Sequence, residues 1–306
     1  MIRRPLGRTG LTVSALGLGC SRIASLGTRR SPAEMRALLE RALDHGITLF
    51  DTADIYGQGD SERLIGRVLS GRRDAAVICT KAGLTLRTSQ TLIRLAKPAL
   101  RPVLTRVGRL GRAASAVRQG SEDTAFEPQR LRKRLEGSLR RLKTDHVDVF
   151  LLHSPPLTAL ADGALYDLLD SVVENGLART TGVSCRSLKD AGQVIAAGRV
   201  DVVQVPLSAA ALARADELLA EAAAHGVGVI AREVFAGGVL VGSAASPPDP
   251  AAFDQALKAV VADPRMAAAL VGVTTPGHLA ANVAAVASLA EAGTTAPSRQ
   301  HPAVPA

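Results

Sequence analysis

Eight times along this chain a short apolar run gives way to a longer stretch with helical spacing, and that alternation constrains the fold more than any other feature. The runs are Ala15–Gly19, Ile47–Asp51, Ala75–Lys81, His146–His153, Ala178–Ser184, Asp201–Gln204, Val227–Arg232 and Leu270–Val273. Helices are predicted at Pro32–His45, Ser61–Leu69, Pro128–Leu142, Leu165–Asn175, Leu188–Ala197, Ala213–His225, Ala251–Val261 and Pro276–Ala292. Ser31 supplies an N-cap to the first of these and Gly46 a stop signal. Runs such as VDVFLL and VGVIA are continuously apolar rather than alternating, as strands buried on both faces of a parallel sheet are. Eight such units fit either a closed barrel or a doubly wound open sheet. Their number and the length of 306 residues favour an α/β fold of the (β/α)8 TIM-barrel class.

At 47% hydrophobic residues, the chain can bury a large core without metals or disulfides. Three cysteines, Cys20, Cys79 and Cys185, make no disulfide framework and point to a reducing compartment. No apolar run follows the basic start as a signal peptide would, and none approaches the roughly 20 residues of a membrane span, so a cytoplasmic location is expected. The formal net charge of +9 invites a nucleic-acid reading, but its distribution argues otherwise. Between Ala75 and Ser121 there are nine bases and no acid, so the remainder of the chain is formally neutral. This segment follows the third strand, interleaves bases with Leu and Val, and contains Pro98 and Pro102, which break long helices. It is expected as an inserted lid over 82–127, interrupting a barrel that runs over 1–292. Residues 87–118 are a candidate for peripheral contact with an anionic membrane or an anionic substrate. The segment lacks the aromatic residues that stack single-stranded nucleic acid. The Pro- and Ala-rich end, 293–306, is expected to be disordered.

In a barrel of this kind, chemistry belongs at the C-terminal ends of the strands. The polar residues at or just past the ends of the apolar runs are Asp51, Lys81, His153, Ser184, Gln204, Arg232 and Thr274. Each alone reads equally well as the solvated boundary of a strand. Together, from seven strands, they make a site. Tyr56 lies five residues beyond Asp51 in the following loop. A phenol with a pKa of roughly 10 is a weak acid at neutral pH, and a nearby ammonium lowers that value. Lys81 is placed to supply the ammonium, Asp51 to hold Lys81, and His153 to hydrogen-bond the phenol or a substrate oxygen. These four groups form a relay suited to protonating an alkoxide as a carbonyl is reduced. Cys185 reads as a packed thiol. The six histidines show no metal-ligand spacing, so no metal is expected. GLGCSR has only part of a dinucleotide fingerprint, and neither a Walker loop nor a GxSxG elbow occurs.

GRTGLTVSALGLGC, FDTADIYGQGDSERLIG, the strand ending in TK, DVFLLHSP, and GVS before a helix resemble the aldo-keto reductases over about residues 2–292. The resemblance implies a (β/α)8 barrel whose opening RRPLGRTGLTVS forms a β-hairpin across the barrel bottom. It implies a nicotinamide-dependent oxidoreductase interconverting a carbonyl and an alcohol. By position, Tyr56 would be the acid/base, Lys81 and Asp51 its tuning pair, and His153 the substrate-orienting residue. Ser184 and Gln204 would meet the nicotinamide carboxamide, although Cys185 stands where the family usually has Asn. Arg232 would stack on the nicotinamide or contact the pyrophosphate, and VGVTTPGHLAAN would bring Thr274, His278 and Asn282 to the adenosine phosphate. His278 in place of the usual Arg leaves NADP(H) favoured and NAD(H) open. A non-enzymatic alternative is an NADP(H)-binding barrel serving as a sensor or membrane-associated subunit.

Overall fold

A computed structural model describes residues 1–23, 28, 30–86, 122–124, 126–236 and 249–294. Its strands are β1 (Arg3–Pro5), β2 (Thr12–Ser14), β3 (Leu16–Gly19), β4 (Leu49–Asp51), β5 (Val77–Ala82), β6 (Leu84–Leu86), β7 (Glu122–Thr124), β8 (Val147–His153), β9 (Ala178–Ser184), β10 (Val202–Pro206), β11 (Gly228–Arg232) and β12 (Met266–Val271). Its helices are α1 (Pro32–Asp44), α2 (Asp60–Val68), α3 (Pro128–Leu142), α4 (Ala164–Glu174), α5 (Leu188–Ala196), α6 (Asp216–Ala224), α7 (Pro250–Ala262) and α8 (Pro276–Thr294).

Eight strands close into a barrel in the order β3-β4-β5-β8-β9-β10-β11-β12, and every neighbouring pair is parallel. This is the (β/α)8 barrel expected from the alternation. All seven residues of β8 are buried, because one face meets the barrel interior and the other the helices. Leu49, Val149, Leu151, Val202, Ile230 and Leu270 pack inside the barrel, whereas residues such as Leu39, Leu135 and Leu169 seal the helices onto its outside.

The N-terminal strands β1 and β2 pair antiparallel as the expected hairpin. Leu6, Leu11 and Val13 from it join the interior cluster and form a floor to the barrel. Gly7, at φ +55°, permits this approach, since a Cβ there would lie 2.4 Å from the Gly226 carbonyl oxygen and the Gly228 nitrogen. The Arg4 guanidinium ties the hairpin to the end of α7 by donating to the carbonyls of Val261, Asp263 and Met266 at 2.6, 2.8 and 2.7 Å. Ser31 caps α1 as read, and the Glu34 carboxylate returns a bond to the Ser31 backbone N–H at 2.7 Å, completing a capping box.

Two boundaries differ from the sequence reading by three residues or more. The final strand is Met266–Val271 rather than Leu270–Val273, because MAAALV, whose alanines favour helix, is fully buried between β11 and β3. Before α6 the chain makes a 3-10 segment at Ala209–Ala215, so the helix proper starts three residues later than read. The root of the expected insert is an antiparallel pair, β6 with β7. The basic stretch 87–118 and residues 295–306 lie outside the described residues. Among the described residues, no helix is long and apolar enough to cross a membrane.

Candidate active site

The parallel register places the polar strand ends at one mouth. Asp51 ends β4, Lys81 is next to last in β5, and His153, Ser184 and Arg232 end β8, β9 and β11. His153 pairs in register with Ser184, and Ser184 with Gln204 of β10, so three adjacent strands present polar side chains side by side. A Cβ at Gly182 would lie 1.8 Å from the Val202 carbonyl oxygen, so glycine there lets β9 approach β10 closely enough to join Ser184 to Gln204.

At the centre lies a buried ion pair. The Lys81 ammonium donates to Asp51 Oδ1 at 2.5 Å and to the Thr52 carbonyl at 2.9 Å, and only 1% of the Lys81 side chain is exposed. Gln204 Nε2 donates to the same Asp51 oxygen at 2.7 Å, while Ser184 Oγ donates to Gln204 Oε1 at 2.9 Å. Burial alone would lower the Lys81 pKa, but Asp51, Tyr56 and Cys79 together outweigh it and raise the pKa above its ordinary value. Lys81 is therefore charged throughout the neutral range.

Tyr56 opens a short 3-10 turn, Tyr56–Gly59, in the loop after β4. Lys81 Nζ stands 5.3 Å from its ring centroid. The sequence suggested that this ammonium would lower the phenol pKa. Instead the pKa is raised, because loss of water around the hydroxyl outweighs the pull of Lys81, and Asp51 adds to the rise. The group at the mouth is thus a protonated phenol at neutral pH. His153 meets Tyr56 edge to face, with ring centroids 5.8 Å apart, and its buried Nδ1 has no hydrogen-bond partner. Burial, with the charges of Lys81, Arg232 and Arg134, holds its pKa well below the usual histidine value. His153 is neutral.

Arg232 leans across the mouth. Its guanidinium donates to the Cys185 carbonyl at 2.9 Å and pairs with Glu233, while its buried Nε has no partner. Cys185 is buried beneath, its thiol pushed up to about 12 by desolvation, as a packed and unreactive thiol should be. Thr274 follows β12, and α8 begins at Pro276 with no acidic residue in its first turn. There His278 is exposed and Asn282 is partly buried. Thr274 lies on the last strand–helix junction, and His278 and Asn282 lie in the first two turns of α8. Among the described residues, no three His, Cys, Asp or Glu side chains converge as a metal site would need.

One feature of the mouth carried no local sequence signal. Asp54, three residues beyond Asp51, is buried and paired with Arg134 of α3 at 2.5 Å, and Arg134 also donates to the Leu84 carbonyl at the root of the insert. Burial raises the Asp54 carboxyl to about 6 despite Arg134. Eighty residues separate the partners, and no spacing rule joins them.

The donor set suits a nicotinamide dinucleotide. Ser184 and Gln204 offer hydroxyl and amide groups of the kind a carboxamide pairs with. The partnerless Arg232 Nε suits a phosphate. A sequence model described as "Aldo/keto reductase family" matches residues 15–259. The chain is 30% identical over 246 residues to a D-threo-aldose 1-dehydrogenase of a Pseudomonas species, covering 76% of this chain and 69% of that enzyme. It is 28% identical over 186 residues to the uncharacterized oxidoreductase YqkF of Bacillus subtilis, covering 60% of this chain but only 49% of that relative. Among solved structures, a putative aldo-keto reductase from Pseudomonas aeruginosa superposes with a TM-score of 0.72 at 28% identity, over 94% of this chain and 95% of that one. The holo form of an aldo-keto reductase from Bacillus halodurans gives 0.68 at 25% identity, over 94% and 91%.

Proposed function

This chain belongs to the aldo/keto reductase family, and on that premise we propose that it interconverts a small-molecule carbonyl and its alcohol with Tyr56 as the general acid/base. The observation that carries the reading is the protonated Tyr56 phenol beside a buried Lys81–Asp51 pair and a neutral His153. In the reducing direction, Tyr56 donates its proton to the carbonyl oxygen as the carbon is reduced. Its raised pKa keeps that proton in place until charge develops on the oxygen. The phenolate left behind is stabilised by the Lys81 ammonium, which Asp51 and the Thr52 carbonyl hold in place. Neutral His153 orients the carbonyl oxygen without competing for the proton. In the oxidising direction the phenolate takes the alcohol proton back.

The nicotinamide cofactor, when bound, supplies or accepts the hydride. Ser184 and Gln204 would hold its carboxamide, Arg232 its nicotinamide ring or pyrophosphate, and Thr274, His278 and Asn282 its adenosine phosphate. With no carboxylate in the first turn of α8 to repel a 2′-phosphate, NADP(H) ranks ahead of NAD(H). The test is titration of the purified protein with NADPH and NADH by nicotinamide fluorescence, followed by a carbonyl panel read at the nicotinamide absorbance band. Tighter NADPH binding with carbonyl-dependent oxidation is expected. Binding of neither cofactor would return the weight to a non-enzymatic barrel.

A further inference from the structure

A second concave site lies outside the barrel, between α2 and α3. It has a volume of about 440 Å³ and is lined by Arg63, Arg67, Gly137, Arg140, Arg141 and Lys143. Glycines gather the guanidinium groups there. A Cβ at Gly59 would meet Arg141 Nε at 2.9 Å and Arg63 Nη1 at 3.1 Å. A Cβ at Gly137 would meet Arg141 Nη1 at 3.1 Å and Arg140 Nη2 at 3.8 Å. Arg63, Arg141 and Arg140 are thus drawn side by side along one wall. Among the described residues, two carboxylates are seen to pair with them. Asp60 pairs with Arg63 at 3.2 Å, and buried Glu62, which also accepts from Thr80, pairs with Arg141 at 2.5 Å. Among the described residues, no carboxylate pairs with Arg67, Arg140 or Lys143. Five cations against two acids leave a formal excess of three positive charges in one hollow. Lys143 is further held at φ 59° and ψ 46°, a left-handed conformation that a residue with a Cβ adopts at a cost. An adjoining hollow shares Arg140 and Lys143 and adds Arg73, Thr144 and Asp145, of which Arg73 is paired with Asp148 and Asp145 with His146.

Like charges drawn together without counter-ions repel, and a multiply charged anion relieves that repulsion. Four of the five cations are arginines, whose planar forks match phosphate oxygens in pairs, whereas a single carboxylate could engage only one fork. We propose that the α2–α3 groove is a binding site for a ligand carrying two or more phosphate charges, separate from the barrel mouth.

The test is calorimetric titration of the full chain with inorganic pyrophosphate at fixed ionic strength and without nucleotide, binding at the barrel mouth being common to every variant. Arg67→Gln/Arg140→Gln removes two of the cations that carry no carboxylate partner and leaves both ion pairs intact. Lys189→Gln/Arg214→Gln, on exposed positions elsewhere, removes the same charge. The groove variant should weaken pyrophosphate binding by about tenfold per arginine, and the control by less than about twofold. Far-UV circular dichroism of both variants checks that each is folded. Equal weakening in both variants, or no pyrophosphate binding by the wild type, would overturn the proposal. Sedimentation with vesicles containing a phosphoinositide then assigns the source: co-sedimentation of the wild type but not the groove variant identifies a headgroup, and its absence identifies a soluble phosphate.

Discussion

Replacing Asp51 with Asn strips the buried Lys81 ammonium of the carboxylate it pairs with while keeping the size of the side chain. Removing one partner of a buried ion pair costs about 3–5 kcal/mol. Deprotonation limits the cost of leaving the Lys81 charge unpaired. Lys81 can escape by losing its proton, which for a lysine of ordinary pKa of about 10.4 costs about 4.6 kcal/mol at pH 7. The loss at pH 7 should therefore be about 3–5 kcal/mol, and it should shrink as pH rises. In the variant, burial lowers the folded pKa of Lys81 below its unfolded value, so the unfolded chain binds more protons and stability climbs with pH by up to about 1.4 kcal/mol per unit. In the wild type the folded pKa is raised, so the contribution of Lys81 is fully present below about pH 10 and is lost only above it. Urea unfolding followed by far-UV circular dichroism at pH 7.0 and 9.5 separates the two. The gap between variant and wild type should close by about 3 kcal/mol over that interval. A variant within about 1 kcal/mol of wild type at pH 7, or a gap that does not change with pH, would refute the assignment of Lys81 as a buried cation held by Asp51.

Other predictions are quicker to test. Gly182→Ala should destabilise the barrel by about 1–3 kcal/mol and weaken cofactor binding, since the new methyl group forces β9 away from β10 and separates Ser184 from Gln204; unfolding curves and nicotinamide fluorescence report the two effects. All three thiols are buried with raised pKa values, so a disulfide reagent should label none in the native protein at pH 8 and all three in urea.

The barrel was legible because parallel strands covered on both sides leave an unmistakable trace in sequence, and VDVFLLH is such a strand from end to end. The mouth was legible for a related reason. Where a buried run stops at Asp51, His153, Ser184 or Arg232, the parallel direction of the strands brings those stops to the same end of the barrel. MAAALV was misread at its start because alanine carries little strand preference, and only closure between β11 and β3 makes those residues a strand. The direction of the Tyr56 shift was illegible because it depends on how much water packing removes from the hydroxyl, whereas sequence reveals only the neighbouring charge. Asp54 and Arg134 were missed because their meeting is a product of tertiary packing, with one partner in a loop and the other on a helix 80 residues away. The groove between α2 and α3 was hidden because Arg63 and Arg67 belong to a segment whose charge balance looks ordinary until α3 is laid against it.

The measurement closest to the central claim is the single-turnover rate of Tyr56→Phe against wild type, with cofactor affinity measured on the same samples. Phenylalanine keeps the ring that packs against His153 and lies near Lys81 and removes only the hydroxyl. The expected rate is roughly 100- to 10,000-fold lower, with nicotinamide binding unchanged. A variant that reduces its carbonyl at the wild-type rate would show that the proton comes from elsewhere.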